Sequence, residues 1–294
     1  MKLKTLDAKM RVFETAHDHS VLPGLYMIAR LDGRGFTRLT REELGFEAPY
    51  DERLRDHMVA STEALMRCGL HVIYGYTQSD EISLLCHRDD NAFGRKLRKL
   101  NSILAATATG VFSLRVGQLA TFDCRISQLP TLDLVVDYFR WRAGDALRNA
   151  LNAHCYWALR QNGATTAEAT RKLHGASRAE KNELLLRDHG INFNDVPSWH
   201  KRGVGLHWES YDKEWQDPET GETTTIPRKR IVVIHQLPMK DAYAQFIRKL
   251  VRQAEQKPEP GIGQKSQHKP GQTPPANVLE PGPEAARETA TEQP

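Results

Sequence analysis

The stretch Val72-Ile73-Tyr74-Gly75-Tyr76-Thr77-Gln78-Ser79-Asp80-Glu81-Ile82-Ser83-Leu84-Leu85-Cys86-His87 decides the fold. Residues 72–77 and 81–87 are apolar and rich in β-formers, and the polar triplet Gln78-Ser79-Asp80 between them predicts two strands around a tight turn. Upstream, the short apolar run 25–31 lies between Pro23-Gly24 and Asp32-Gly33 and reads as another strand. Between it and the hairpin, Asp51 can cap a helix with the stripe Leu54, Met58, Leu65, Met66. Downstream, helical spacing of Leu97, Leu100, Leu104, Ala108 and Val111 predicts a helix over 93–114, and 120–125 reads as a strand. The order is β-α-β-β-α-β, the split βαβ or ferredoxin-like arrangement, with two helices on one face of an antiparallel sheet.

The second half begins with a long apolar-rich helix over 134–161. Thr165-x-x-Glu168 and Ser177-x-x-Glu180 are capping boxes opening two short helices. A hairpin of 206–215 and 226–236, bridged by Asp217-Pro218-Glu219-Thr220-Gly221, precedes a last helix over 241–255. The fold class is therefore α+β, with added helices and a C-terminal hairpin.

The chain has 294 residues, 39% of them hydrophobic, enough for a packed core. From Lys257 onward the composition changes: eight of the fifteen prolines and no aromatic residue fall there. Such a segment buries too little to offset its ordering entropy, so residues 1–256 read as one catalytic body and 257–294 as a disordered tail. The formal charge of +4 resides in the body, because the tail holds four basic and five acidic side chains. A mildly basic body fits a polyanionic partner. No apolar run approaches a membrane span, and the N-terminus lacks the apolar core of a signal peptide, so a cytoplasmic protein is expected. Cys68, Cys86, Cys124 and Cys155 form no C-x-x-C pair and read as buried thiols of a reducing compartment rather than zinc ligands.

Asp32 ends the first strand and Asp80 stands in the hairpin turn. In a split βαβ sheet these strands are central neighbours, so both carboxylates can meet at one sheet edge. Two such carboxylates suit Mg²⁺, which prefers hard oxygen ligands and leaves positions for substrate phosphates. Gly33 and Gly35 allow close backbone approach, the Gly33 carbonyl can complete a metal shell, and neighbouring amides can cradle phosphate. Glu81 is a third candidate ligand or base, or a solvated residue at a strand start. Taken singly, Asp32-Gly33 is equally well a simple turn. Arg30 and Arg34 flank Asp32 and can steady phosphates or balance local acid. Arg95, Lys96, Arg98 and Lys99 fall in the first turns of the second expected helix, where cations oppose the helix dipole unless an anion compensates. They are read as triphosphate contacts, or as a solvated basic face. Lys181-Asn182-Glu183, Asn192-Phe193-Asn194 and Lys201-Arg202-Gly203 form a second polar set able to meet phosphate or base edges.

Arg30-Leu31-Asp32-Gly33-Arg34-Gly35-Phe36, Gln78-Ser79-Asp80-Glu81, Phe122-Asp123-Cys124-Arg125, Tyr138-Phe139-Arg140-Trp141-Arg142, Lys181-Asn182-Glu183 and Ile191-Asn192-Phe193-Asn194 occur in this order. Together they resemble the tRNA-histidine guanylyltransferase superfamily over roughly residues 5–210. The resemblance implies a polymerase-like palm used in reverse, extending a tRNA 5′ end in the 3′→5′ direction after activation by ATP or GTP. It implies two Mg²⁺ held by Asp32, Gly33 and Asp80, and triphosphate contacts from Arg30, Arg95, Lys96 and Lys99. Gly33, Arg34, Gly35, Phe36 and Ser79 would lie against the nucleotide. Lys181, Asn192, Lys201, Arg202 and Asn149 would serve activation and RNA contact, in a homotetramer. Members that add guanosine to tRNA-histidine carry His-Ile-Asn-Asn where this chain has Leu147-Arg148-Asn149-Ala150. That departure favours the guanylyltransferase-like branch, which adds nucleotides against a template strand, over guanosine addition to tRNA-histidine. Two other classes stay open: a nucleotide cyclase-type domain, and a tRNA-binding protein without catalysis.

Overall fold

The computed structural model describes residues 3–216 and 223–256; the expected turn at 217–221 and the expected disordered tail lie outside the described residues. In chain order the elements are α1 (Leu3–Thr15), β1 (Tyr26–Gly33), α2 (Phe36–Arg38), α3 (Glu52–Met66), β2 (Val72–Gln78), β3 (Glu81–Cys86), α4 (Leu97–Val116) and β4 (Phe122–Leu129). They continue with α5 (Leu132–Gln161), α6 (Thr166–Leu173), α7 (Arg178–Glu183), α8 (Ser198–Arg202), β5 (Val204–Gln216), β6 (Thr223–Ile234) and α9 (Lys240–Gln256). The strands form one antiparallel sheet in the order β4-β1-β3-β2-β5-β6. The first four follow the expected split βαβ order, and the C-terminal hairpin extends the β2 edge.

One expectation needs correction: helices cover both faces of the sheet. Met27, Ala29 and Leu31 of β1 pack with Met58 and Leu65 of α3 and Leu104 and Phe112 of α4. The alternate residues Tyr26 and Ile28 pack on the other side with Val135 and Phe139 of α5 and Ile247 of α9. The reason is visible in the strand itself. A sheet wetted on one face alternates apolar and polar residues, whereas 26–29 and 72–76 are apolar at successive positions. Tyr74 shows how the second layer closes: its ring meets Phe139 edge-on at 5.1 Å, and its hydroxyl lies 3.1 Å from that of Tyr243. Deleting such a fully buried ring costs on the order of 3–5 kcal/mol.

The helix expected from residue 93 starts later. Phe93, Gly94 and Arg95 have φ of 55°, 59° and 56°, a left-handed turn that an α-helix cannot include. Asp90 builds this turn by accepting from the amides of Ala92 (2.7 Å) and His71 (2.8 Å). The expected caps are present: Asp51 accepts from the Arg53 amide, and Thr165 and Ser177 each close a capping box. Beyond the sheet, the C-terminal half of α5 packs with α6 and the α7–α8 region around Cys155, Leu159, Leu173, Leu185 and Phe193. Among the described residues, no helix is long and apolar enough to cross a membrane.

Candidate active site

Along β1 the row that begins with Tyr26 and Ile28 continues as Arg30 and Asp32, so the α5-facing side of the sheet turns from apolar to charged at the strand end. There β1 meets the β2–β3 turn. The Gly33 amide donates to the Asp80 carbonyl at 3.0 Å, pinning the two segments together. Ser79 takes φ of 54°, which tightens the turn and brings Asp80 round toward β1. A Cβ on Gly33 would lie 2.4 Å from the Phe36 ring, so only glycine fits at this point. That ring is itself fixed against Phe122 (4.9 Å) and Phe112 (5.1 Å). A cavity of about 530 Å³ opens here, with Asp32, Ser79, Asp80, Glu81 and Arg30 on its wall.

The electrostatics of this wall are uneven. Burial pushes the Asp80 carboxyl up, and the neighbouring Asp32 charge pushes the same way, partly offset by hydrogen bonds from its own amide and from Ser79. The nearest arginines serve other acids. Arg142 Nη2 donates to Glu81 Oε2 at 2.9 Å, and its Nε lies 2.8 Å from Oε1, off the N–H direction. Arg30 stands 3.7 Å from the same carboxylate, its Nε buried without a partner. Arg125 pairs with Asp123. Burial raises the Glu81 carboxyl too, but Arg142 and then Arg30 oppose that shift. Glu81 is thus an internally neutralised group, while Asp32 and Asp80 form no ion pair among the described residues. Two crowded carboxylates without a cation, beside an exposed backbone turn, fit a hard divalent ion such as Mg²⁺.

The basic cluster divides. Arg95 is not a triphosphate ligand in this structure: it is 4% exposed and lies outside the cavity. Its guanidinium donates to the carbonyls of Val21 (3.2 Å), Arg88 (2.9 Å), Asp90 (2.8 Å) and Leu25 (2.7 Å). The left-handed turn places it there, outside the helix that carries Lys99. Lys96 and Arg98 both bind Asp18, each at 2.6 Å. Lys99 is exposed on the first turn of α4, which is tied to residues 19–21 ahead of β1, so it too lies outside the cavity, at the end of the sheet opposite Asp32 and Asp80. The second polar set mostly holds its own loop. Asn192 donates to Asp195 at 2.9 Å, Lys201 donates to the carbonyls of Asn194 (2.7 Å) and Phe193 (3.3 Å), and Arg202 donates to Ser198. Lys181 is half-buried, away from the cavity; Asn149 lines it. Phe36 backs the cavity as part of the core, Gly35 takes the left-handed turn before α2, and Arg34 borders a separate shallow pocket with Arg38 and Thr121.

Several lining residues escaped the sequence reading. Arg142, Asp145, Ala153 and Trp157 join the expected Asn149 on one face of α5 along the cavity. Their signal was the spacing of Arg142, Asp145 and Asn149 on one side of the helix. Tyr50, Trp199, Arg41 and Arg55 line the opposite part. The Tyr50 hydroxyl accepts from Gln78 Nε2 at 3.1 Å, tying its loop to the hairpin turn, and burial pushes that hydroxyl up to about 12. Its ring stacks on His200 at 4.6 Å, and His200 Nδ1 lies 3.2 Å from His154 Nε2. Burial, then the neighbouring His154, brings His200 down to about 4. No local pattern links these residues, which come from four separate segments.

A ferredoxin-like palm that presents two unneutralised carboxylates to a cavity of nucleotide size defines a nucleotidyltransferase. Comparison with known proteins specifies which. The chain belongs to the tRNA(His) guanylyltransferase (Thg1) family, whose sequence profile matches residues 7–130 and whose C-terminal-domain profile matches residues 133–259. The tRNA(His) guanylyltransferase of Debaryomyces hansenii is 32% identical over 226 residues, covering 72% of this chain and 85% of that protein. That of Schizosaccharomyces pombe is 29% identical, covering 73% and 85%. A bacterial Thg1-like protein solved in complex with ATP superposes with a TM-score of 0.68 at 26% identity, over 84% of this chain and 99% of that one. A bacterial Thg1-like protein in complex with GTP gives 0.63 at 27% identity, with the same coverage.

Proposed function

We propose that this nucleotidyltransferase extends the 5′ end of a tRNA in the 3′→5′ direction, adding nucleotides opposite a template strand. The observation that carries the reading is the pair Asp32 and Asp80, brought to one cavity wall without a counter-cation. Asp32, Asp80 and the Gly33 carbonyl would hold Mg²⁺. When bound, the ions would acidify the attacking hydroxyl and stabilise the leaving group. The tRNA 5′-phosphate is first activated, as an existing triphosphate or by adenylylation with release of pyrophosphate from ATP. The 3′-hydroxyl of the incoming nucleoside triphosphate then attacks the 5′ α-phosphorus. A new P–O bond forms, and pyrophosphate or AMP leaves.

The residues of the chain divide this work. Arg30, whose Nε has no protein partner, lines the cavity and would meet phosphate oxygens. Arg142 holds Glu81 in place and keeps its charge from repelling substrate. Watson–Crick pairing would choose the nucleotide, in keeping with the stretch Leu147-Arg148-Asn149-Ala150 on α5. The uncovered apolar residues Leu3, Met10 and Phe13 of α1 support self-association, for which a homotetramer is our reading. Supplying a 5′-truncated tRNA with each nucleotide in turn, while varying the opposing base, tests the function. Addition that follows the template base is expected. Addition of guanosine regardless of that base would instead make the chain a tRNA-histidine guanylyltransferase in the strict sense. Consumption of nucleotide without RNA would overturn both readings.

A further inference from the structure

Trp141 stands on α5 one residue before Arg142 and is 54% exposed, unusual for the largest apolar side chain. It is not loosely placed. The Arg142 guanidinium lies over its ring at 4.4 Å, and Tyr138 meets it edge-on at 5.7 Å. The same guanidinium binds Glu81 on the cavity wall and Asp145 at 2.8 Å, so a single planar group separates the Trp141 ring from the carboxylates of the site. Around the ring, arginines alternate with the carboxylates that hold them. Arg148 follows two turns along α5 and pairs with Asp145; Arg125 of β4 pairs with Asp123, which raises its basicity first, with Asp32 and Glu81 adding to it.

We propose that Trp141 is the stacking platform for the terminal nucleobase of the RNA stem whose 5′ end enters the cavity. The inference rests on the reading of the chain as a 5′-end extending enzyme. A rigid indole with a cation behind it, at the lip of the site, matches the flat apolar face that a base-paired stem presents at its end. Arg148 and Arg125 are exposed and each holds its carboxylate through one nitrogen, so their remaining N–H donors match its phosphates. Stacking is indifferent to base identity, as an enzyme that leaves nucleotide choice to pairing requires. The free nucleoside triphosphate has no need of the platform, because its phosphates engage the carboxylate end of the cavity.

The test uses the full-length chain and a 5′-truncated tRNA carrying 2-aminopurine at its terminal 5′ position. Wild-type protein should quench the fluorophore on binding. Trp141→Leu should lose the quench and raise the RNA KM roughly tenfold to hundredfold. It should leave the nucleotide KM within about twofold, since one stacked base is what it removes. Trp141→Phe should restore most of the RNA affinity. Asp80→Asn should keep the quench while losing extension, so that failure of the stacking inference and failure of the catalytic reading give different results. Unchanged RNA KM and quench in a folded Trp141→Leu protein would overturn the proposal. So would a defect confined to the nucleotide KM. If Trp141→Leu unfolds, the same readings are taken on Trp141→Gln, where unchanged RNA KM and quench overturn it.

Discussion

Asp32–Asp80 and Arg95 are both clusters of buried or half-buried charge on segments entering or leaving the sheet, yet they are built in opposite ways. Arg95 is saturated: four backbone carbonyls from two segments take up its guanidinium, leaving it nothing to offer a substrate. Asp32 and Asp80 face each other across a turn, with the neighbouring arginines committed to Glu81 and Asp123. Satisfied charge holds the fold together, whereas unsatisfied charge costs stability and is retained where a ligand will complete it. Function therefore follows the absence of a partner more closely than the presence of a charge.

The sharpest way to break that contrast is at the carboxylates. Asp80→Asn should lower extension on the order of 10³-fold, several kcal/mol of barrier, and hold or raise the melting temperature because a like-charge contact is relieved. A folded variant with full activity would end the metal assignment. Arg95→Met should do the reverse. It strands carbonyls that a cation had satisfied, so about 3 kcal/mol or more of stability should disappear, read as a lower urea midpoint at unchanged slope. The folded fraction should keep its nucleotide KM; a stable variant that binds nucleotide poorly would return Arg95 to the site.

Arg30 lies between the two cases, lining the cavity with its Nε unpartnered yet standing 3.7 Å from Glu81. Arg30→Lys should raise the nucleotide KM about fivefold with little change in melting temperature, because the charge stays while the planar fork is lost. The smallest effect is expected at the His154–His200 pair behind Tyr50. His200 has an ordinary value of 6.5 and titrates near 4 when folded, so between those values the unfolded chain binds a proton that the folded chain refuses. Stability should be whole above about 6.5 and decline as pH falls toward 4, by on the order of 1 kcal/mol because the ring is partly solvated. Melting scans of wild type and His200→Asn across that window check it: the variant should show a flatter profile.

Much of the core was legible because local rules and tertiary structure agree there. The runs 25–31, 72–77 and 81–87 carry β propensity whatever surrounds them, and Asp51, Thr165 and Ser177 cap helices through hydrogen bonds made within three residues. The second helical layer was less plain, because an apolar strand shows that both faces are covered without showing by what. The basic stretch at 95–99 was misread as continuous helix. Its departure depends on Asp90 and on carbonyls of the segment before β1, partners more than sixty residues away in the case of Val21 and Leu25.

What the sequence alone determined is the order of elements, the caps, and the two aspartates at the ends of strands that a split βαβ topology must place side by side. What only the tertiary structure decided is which charges are left over. Whether a side chain is spent or free depends on the groups folding brings within about 3 Å of it, and those come from remote segments: Arg142 to Glu81, Tyr50 to Gln78, Asp18 to Lys96. Local spacing carries no record of such encounters, because hydrogen bonds and ion pairs act over ångströms in space and are indifferent to separation along the chain.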